Sequence, residues 1–364
     1  MTLTVLHSES SLGWGGQENR ILNEMLGLRA LGHRALVVCQ PGARLAQRAR
    51  EAGFEAFEVR MRNALDLPAV LRLRRLMRAQ GVQVVNTHSG RDTQLAGMAA
   101  RSLGSKRPRV VRTRHLALPI TSRFGYAVLP DQVVTVSAFV RELLIGAGVP
   151  GERITSVPTG IDLGRWNADP AGGTLRRELG LPDDAPLIGT VAILRRKKGH
   201  AELLEALPAV FDRFPQAHAV FAGDGPQKEN LERLIAEKGL GDQVHLLGLR
   251  RDVANVLQSL DVFVLPTHQE ALGTAFVEAG VMGLPSVASR VDGVPEVIVD
   301  GENGLLVPVC DSSAIAAALI RLLDDPALRR RLGENARKRA SERFSREAMV
   351  EGMVAVYRRL LDAA

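Results

Sequence analysis

The sequence predicts an α/β protein with two Rossmann-like parallel-sheet domains. Short β-rich apolar runs alternate with longer segments of helical periodicity almost from end to end, which is the pattern of parallel strands joined by covering helices. The chain has 364 residues, of which 46% are hydrophobic, so it is long enough to bury two separate cores. The alternation pauses over Gly160–Gly173, which is rich in Gly, Pro, Asp and Asn. We therefore expect two domains with a linker in this segment.

The first half contains seven predicted strands and the second half six. Those of the first half are Leu3–Ser8, Ala35–Gln40, Ala56–Met61, Val82–His88, Val110–Thr113, Val133–Ser137 and Ile154–Pro158. Those of the second half are Leu187–Leu194, Ala217–Ala222, Val244–Leu247, Val262–Pro266, Pro285–Ser289 and Gly304–Pro308. Ser345–Ala364 reads as an amphipathic helix. The expected domains are residues 1–162 and 163–345, with residues 346–364 as a helix that packs back toward the first domain.

The apolar runs and the cysteines bear on where the protein works. No run approaches the roughly 18 apolar residues that span a bilayer, and the first residues lack the pattern of an export signal. Cys39 and Cys310 lie in apolar segments of different halves, which predicts two buried reduced thiols and neither a disulfide nor a metal pair. We therefore expect a cytoplasmic protein, either free or at the inner face of the cell membrane.

Basic charge is concentrated in the first half of the chain. Residues 1–165 carry 23 Lys and Arg against 12 Asp and Glu. Much of the excess lies on one predicted helix and in one later stretch: Arg72, Arg74, Arg75 and Arg78, then Lys106, Arg107, Arg109, Arg112 and Arg114. Such a surface suits an anionic membrane or a phosphorylated glycan, and a solvated face without a partner is an equal alternative. Nucleic acid is disfavoured because only 4% of the residues are aromatic.

Two predicted strand-to-helix loops carry groups suited to phosphate. Gly15 and Gly16 precede a helix, where unpaired amides and the helix dipole favour an anion. A flexible connection is the alternative there. Arg195, Arg196, Lys197 and Lys198 follow a predicted strand, and adjacent cations repel one another unless an anion neutralises them. This loop therefore favours a diphosphate, with solvated charge as the alternative.

The segment that follows the strand Val262–Pro266 has the most specific pattern. Glu270 and Glu278 are eight positions apart, a spacing of about two helical turns that lets both acids face the same way. Glu278 stands among apolar residues, where an unpaired carboxylate is costly. Four amides would be free at the helix start to meet phosphate oxygens: those of Ala271, Leu272, Gly273 and Thr274. The pattern indicates a ligand with hydroxyl groups and phosphate.

In their order along the chain, these motifs resemble those of the retaining family 4 glycosyltransferases of the GT-B fold. The resemblance rests on Glu270-x7-Glu278, Arg195 with Lys198-Gly199, Gly223-Asp224-Gly225-Pro226, Gly15-Gly16-x-Glu18, Pro158-x-Gly160-Ile161-Asp162 and Gly301-x-Asn303-Gly304-Leu305. It implies two Rossmann-like domains facing a central cleft. It also implies transfer of a sugar from a nucleoside-diphosphate sugar, a UDP- or GDP-sugar, to a glycan or lipid-linked acceptor such as a lipopolysaccharide core.

The resemblance further implies roles for individual residues. The implied catalytic residues are His88, Arg195, Lys198 and Glu270. The implied donor-binding residues are Gly15, Gly16, Gly223, Gly225, Ala271, Leu272, Gly273, Thr274 and Glu278. Glu278 would hold the ribose hydroxyls, and Arg195 with Lys198 would hold the diphosphate. No Asp-x-Asp and no helical histidine pair with metal-ligand spacing occurs, so we expect no metal and no other cofactor.

Two departures from the family pattern affect the phosphate contacts. Ala192-Ile193 stands where the family often has Gly-Arg, so Arg195 and Arg196 compete for the arginine's role. Thr159 replaces a common asparagine. Three alternatives are weighed against a transferase: a sugar-nucleotide epimerase of the same fold, a nicotinamide oxidoreductase, which lacks its glycine fingerprint in the right context, and a non-catalytic binding protein, which both acids and the basic loop disfavour.

Overall fold

A computed structural model of the chain describes residues 2–166 and 172–363. The structure divides into two compact units, the first formed by Met1–Ile161 together with Ser345–Ala364 and the second by Asp162–Phe344. The division falls within the predicted linker Gly160–Gly173. Residues 167–171 of that linker lie outside the described residues.

The first unit is built on a seven-stranded parallel sheet. Its strands are β1 Thr4–Glu9, β2 Arg34–Cys39, β3 Ala56–Glu58, β4 Val84–Thr87, β5 Arg109–Arg114, β6 Gln132–Thr135 and β7 Ile154–Ser156. Its helices are α1 Gly16–Ala30, α2 Arg44–Glu51, α3 Leu67–Ala79, α4 Gly90–Arg101 and α5 Ala138–Gly146, with single turns at Gly104–Lys106, Phe124–Val128 and Gly151–Arg153. The strand order is β3-β2-β1-β4-β5-β6-β7.

The second unit repeats this arrangement with six parallel strands. They are β8 Leu187–Val191, β9 His218–Ala222, β10 Val244–Gly248, β11 Val262–Leu265, β12 Ser286–Ser289 and β13 Gly304–Val307. The helices are α6 Leu175–Glu178, α7 His200–Arg213, α8 Lys228–Glu237, α9 Val253–Gln258, α10 Thr274–Val281, α11 Val294–Val297, α12 Ser312–Asp324 and α13 Pro326–Arg343, with 3₁₀ turns at Leu163–Trp166 and Arg196–Lys198. The strand order is β10-β9-β8-β11-β12-β13.

Both sheets therefore have the doubly wound order in which the sequence of strands reverses once. The reversal lies between β1 and β4 in the first unit and between β8 and β11 in the second. The central strands are buried on both faces, as in β11, where every residue is buried. This burial explains why the strands appear in the sequence as continuous apolar runs.

The last helix, α14 Arg346–Asp362, completes the core of the first unit. Its buried residues Met353 and Tyr357 belong to the same apolar cluster as Val5 of β1. The return of the chain depends on Gly160, because a Cβ at that position would overlap the carbonyl oxygen of Ser345. The amide of Arg346 donates to the carbonyl of Ile161 at 2.8 Å.

The thirteen predicted strands are all present, with shorter ends in places. β3 stops at Glu58 instead of Met61, and β8 stops at Val191 instead of Leu194. A predicted helix over residues 345–364 is confirmed, with Ser345 as its N-cap. The prediction that Cys310 is buried was wrong: it lies exposed in the turn after β13 with φ of 59°. Cys39 is buried and free, as predicted.

The second basic stretch is also not the open cationic face that the sequence suggested. Arg107 forms an ion pair with Asp131 at 2.6 Å. Arg112 is buried, where it donates to the carbonyl of Gly125 and lies over the ring of Tyr126. On α3, by contrast, Arg72, Arg75 and Arg78 are exposed. Of these two basic groups, the one on α3 is therefore the more exposed to a partner.

No helix in the part of the chain that the structure describes is long and apolar enough to cross a membrane.

Candidate functional site

In the second unit, the predicted site residues lie where the strand order reverses. Strands β8 and β11 are neighbours in the sheet, and the chain that follows them carries Lys198 and Glu270 respectively. In open α/β sheets, ligands bind beyond the carboxyl ends of strands at such a reversal. The two residues meet there as an ion pair between Lys198 Nζ and the Glu270 carboxylate, with side chains that are 15% and 20% exposed.

The basic loop is fastened to the end of β11 by three features. Gly199 has φ of 73°, and a Cβ there would overlap the carbonyl oxygen of Pro266. The hydroxyl of Thr267 and the amide of His268 both donate to the carbonyl of Lys197, at 2.9 and 2.8 Å. A glycine is therefore required for the approach that sets Lys198 beside Glu270.

The other cations of the loop point to solvent. Arg195 precedes the 3₁₀ turn Arg196–Lys198, and the side chains of Arg195, Arg196 and Lys197 are exposed. None of these three forms an ion pair with another described residue. Both arginines that competed for the diphosphate role thus remain available to an anion.

Glu270 lies in a loop, not on a helix. Helix α10 begins only at Thr274, after Gly273 with φ of 96°, so the expectation that Glu270 and Glu278 are separated by about two helical turns was wrong. Gly273 is the N-cap of α10, and its left-handed backbone conformation keeps the helix from extending back toward Glu270. In the residues described, four main-chain amides of this segment meet no acceptor: those of Ala271, Leu272, Gly273 and Thr274.

Asp292 holds the Glu270 loop in place and was missed by sequence reasoning. Its carboxylate accepts from the amide of Glu270 at 3.0 Å, and the amide of Gly293 donates to the carbonyl of Glu270 at 3.1 Å. A Cβ at Gly293 would overlap the carbonyl of Ala271. Asp292 has φ of 46°, a conformation that is uncommon for residues other than glycine and could not be inferred from the sequence pattern.

Glu278 is a half-buried acid with no hydrogen-bond donor among the described residues. Burial raises its pKa from 4.5 to about 7, and the positive charge of Arg165 lowers it only in part. Water still reaches some of this side chain, so its carboxylate stays accessible to a ligand. The arrangement fits a group that accepts hydrogen bonds from ligand hydroxyls.

Gly223 and Gly225 serve close packing in this structure. A Cβ at Gly223 would overlap the carbonyl of Ala192, and one at Gly225 would come within 2.6 Å of the carbonyl of Leu194. The amide of Gly223 donates to the carbonyl of Gly248, and that of Gly225 to the side chain of Asp224. Because both amides are used within the protein, what these glycines contribute in this structure is close packing against the 192–195 segment.

In the first unit, the glycine loop follows β1 and leads into α1. The amide of Gly15 donates to the Glu18 carboxylate at 2.8 Å, so the protein itself occupies one of the predicted anion-binding amides. Burial and the nearby Asp92 carboxylate raise the pKa of Glu9 to about 8. Gly16 differs from Gly15, because a Cβ at Gly16 would meet no atom within 4 Å. The space beside Gly16 is therefore the part of this loop that is open to a ligand.

His88 lies at the end of β4, in the middle of a column of three histidines. Its Nε2 is 3.1 Å from His7 Nδ1, and its Nδ1 is 3.0 Å from His115 Nε2. The ring centroids are 5.4 and 5.3 Å apart. Burial, reinforced by His115 and then His7, lowers the pKa of His88 well below its ordinary value. Burial also lowers the pKa of His7 and of His115, so the three rings are mainly neutral at pH 7, and each inter-ring hydrogen bond couples the tautomers of the two rings it joins.

The column continues into a buried polar network. His7 Nε2 is 3.8 Å from the Glu24 carboxylate, which accepts a hydrogen bond from the hydroxyl of Tyr357. Asn86 donates to the same hydroxyl at 2.9 Å. Sequence reasoning identified His88, but His7 and Tyr357 were missed because nothing in their local sequence distinguishes them from core residues.

Two family models match the chain in consecutive halves. Residues 14–165 match Glycosyltransferase Family 4, and residues 173–339 match Glycosyl transferases group 1. These matches agree with the division into two units.

Curated relatives extend the similarity. The chain is 33% identical over 176 residues to the lipopolysaccharide core biosynthesis glycosyltransferase LpsE of Rhizobium meliloti, covering 48% of this chain and 51% of that protein. It is 29% identical over 308 residues to the GDP-mannose-dependent alpha-(1-6)-phosphatidylinositol monomannoside mannosyltransferase of Mycolicibacterium smegmatis, covering 77% and 78%. For several curated relatives, the match spans about half of their length.

Solved structures show that the fold is GT-B. A glycosyltransferase from Rickettsia africae matches over 100% of both chains with a TM-score of 0.90 and 20% identity. Anabaena HepE, solved in complex with UDP-glucose, matches over 100% of both chains with a TM-score of 0.84 and 21% identity.

Proposed function

We propose that this chain, which belongs to the family 4 glycosyltransferases of the GT-B fold, transfers a hexose from a nucleoside-diphosphate sugar to a glycan or lipid-linked acceptor with retained anomeric configuration. One observation carries the proposal. The Lys198–Glu270 pair, the exposed arginines and four unpaired amides converge where the order of the second sheet reverses. These groups suit a diphosphate joined to a hydroxyl-rich ligand.

Each group has a defined part in the proposed reaction. Arg195 or Arg196, together with Lys198 and the amides, neutralises the diphosphate as the bond between the anomeric carbon and its phosphate oxygen breaks. A new bond forms between that carbon and the acceptor oxygen, and the acceptor proton passes to the leaving phosphate. Glu270 accepts hydrogen bonds from the sugar, and Glu278 accepts them from the ribose. The protein supplies positioning and charge stabilisation, and the proposal includes no metal.

The donor is proposed to be a UDP- or GDP-sugar. The Mycolicibacterium relative is named as GDP-mannose-dependent, and HepE was solved with UDP-glucose. A thermal-shift screen of UDP- and GDP-sugars tests this, because a ligand that binds only the folded chain raises its melting temperature. Glu278→Ala should reduce the shift, and Lys198→Ala should reduce turnover at least tenfold. Normal kinetics in both variants would contradict the donor site.

The acceptor is proposed to be phosphorylated or lipid-linked, as in a lipopolysaccharide core. The first unit has a pocket of about 280 Å³. Polar and apolar side chains line it together, including Gln94, Arg114, Leu116 and Thr121. Such mixed surfaces fit ligands that combine hydroxyls with an apolar part. The Rhizobium relative is named for lipopolysaccharide core biosynthesis.

A peripheral membrane contact is proposed at the exposed side of α3. Leu65, Leu67 and Leu71 are 78%, 67% and 50% exposed, and Arg72 and Arg75 beside them are exposed cations. Leucines next to arginines bind anionic bilayers through both apolar burial and charge. Sedimentation with vesicles of phosphatidylcholine and phosphatidylglycerol tests the contact. Binding should fall in Leu67→Ser/Leu71→Ser and in Arg72→Glu/Arg75→Glu, and equal binding by all three proteins would contradict it.

Incubation of the enzyme with a labelled donor alone separates transfer from epimerisation. A transferase leaves the sugar unchanged apart from slow hydrolysis, whereas an epimerase converts it without an acceptor. Conversion of the donor sugar at a rate comparable to transfer would contradict the proposed function and indicate an epimerase.

A further inference from the structure

Three potential metal ligands from separate segments meet at the carboxyl edge of the second sheet. They are Glu202 in the first turn of α7, His268 after β11 and Cys310 after β13. One ligand atom of each lies within 4.8 Å of the other two. Zinc bonds of about 2.0–2.3 Å place ligand atoms on the order of 3.5 Å apart, so shifts of about 1 Å bring these atoms to bonding positions.

The immediate surroundings of His268 Nε2 favour a cation. This nitrogen is buried and makes no hydrogen bond, although Glu202 Oε1 lies 3.0 Å away. A buried imidazole nitrogen that faces a carboxylate without making a hydrogen bond is uncommon, because loss of a hydrogen bond to water costs free energy. A metal ion would bind the lone pair of the nitrogen and the carboxylate oxygen together.

Cys310 adds a thiol, a soft metal ligand, beside the pair of His268 and Glu202. An ordinary histidine–carboxylate pair has no need of a cysteine beside it. The thiol is exposed, and its backbone has φ of 59°. Residues other than glycine take this conformation at some cost in free energy. A thiolate, an imidazole and a carboxylate form a donor set that suits Zn²⁺ better than Mg²⁺ or Ca²⁺, which prefer oxygen ligands.

We propose that Glu202, His268 and Cys310 form a zinc site with a fourth position open to water. The bound ion joins α7, the β11 loop and the turn after β13. Because the amide of His268 and the hydroxyl of Thr267 also bind the carbonyl of Lys197, zinc braces the segment that positions the basic loop. The ion is structural, and it takes no part in the transfer reaction proposed above.

Metal binding by the metal-free chain of 364 residues tests the site directly. One equivalent of Zn²⁺ should bind in competition with a chromophoric chelator, with release of the thiol proton. Co²⁺ in its place should give a thiolate-to-cobalt charge-transfer absorption band in the near ultraviolet. Zinc should also raise the melting temperature, because it binds the folded chain.

Matched variants distinguish this site from adventitious binding. Cys310→Ser should abolish the cobalt band and raise the Kd for zinc at least tenfold, and His268→Gln should raise it similarly. Cys39→Ala controls for the buried thiol, and His218→Gln controls for a histidine pair of this unit outside the site, His218 with His245 at 3.2 Å. Both controls should bind zinc like the unaltered chain. Absence of the cobalt band, or a band that survives Cys310→Ser, would overturn the proposal whether or not the transferase assignment holds.

Discussion

The fold itself does not require glycine at position 16, so Gly16 can be used to test whether function requires it. Its backbone is outside the left-handed region, and a Cβ would meet no atom within 4 Å. The fold therefore accepts alanine at this position, whereas a ligand phosphate close to the backbone would not. The sequence pattern identified the glycine, but only the structure shows that the protein's own atoms leave the space beside it open.

We expect Gly16→Ala to fold normally and to lose transfer activity. Its free energy of unfolding should change by less than about 1 kcal/mol, since Gly-to-Ala changes at compatible sites are mildly stabilising. If Gly16 binds the donor as proposed, turnover should fall at least tenfold, because the methyl group would take the space of the ligand. Gly146→Ala, at the end of α5 and also without an atom within 4 Å, is the control. Activity of Gly16→Ala equal to that of the control would contradict the role.

Glu278 makes the free energy of unfolding depend on pH in a specific direction. Its pKa is raised from 4.5 to about 7, so the folded chain holds the proton more tightly than the unfolded chain. The resulting stabilisation is complete below pH 4.5 and is lost as the pH rises through 7. Between pH 5 and pH 8 the unaltered chain should lose about 2 kcal/mol relative to Glu278→Gln, with allowance for the water that reaches the group. Parallel pH dependence in urea unfolding of both proteins would contradict the shift.

At the scale of elements, strands were predictable and loop contacts were not. Apolar runs such as Val262–Leu265 identify buried strands because parallel strands are covered on both faces. The sequence could also place Lys198 and Glu270 at strand ends. It could not show that α10 starts at Thr274, that Asp292 holds the Glu270 amide, or that Cys310 is exposed. These features depend on backbone conformations, several with positive φ, that leave no periodic pattern.

Gly199 tests whether loop geometry controls the reaction. Gly199→Ala has to accommodate both a φ of 73° and an overlap with the Pro266 carbonyl, whereas Gly180→Ala has a φ of 67° with no atom within 4 Å. Both should therefore share the cost of the backbone conformation, on the order of 1 kcal/mol. Only Gly199→Ala should displace Lys198 and reduce kcat at least tenfold. Equal kcat in the two variants would show that the close approach is unimportant for turnover.

At the scale of the whole molecule, the first unit is assembled from two distant stretches of chain. The buried hydroxyl of Tyr357 in α14 joins Glu24 of α1 to Asn86 of β4. Tyr357→Phe removes the shared hydroxyl partner of these two buried groups, which should lower the free energy of unfolding by about 1–3 kcal/mol. A double-mutant cycle with Glu24→Gln checks the contact by urea denaturation, and strictly additive effects would contradict it.

Because the first unit is formed by two separate stretches of the chain, it cannot be completed during synthesis until the last stretch has been made. Asp162–Phe344 is continuous in the chain, whereas the first unit needs Ser345–Ala364 to cover its core. A ribosome adds about 5–20 residues per second, so the intervening roughly 180 residues take on the order of 10–40 s. During this interval the apolar surface that α14 later covers stays uncovered, and the second unit can finish folding before the first.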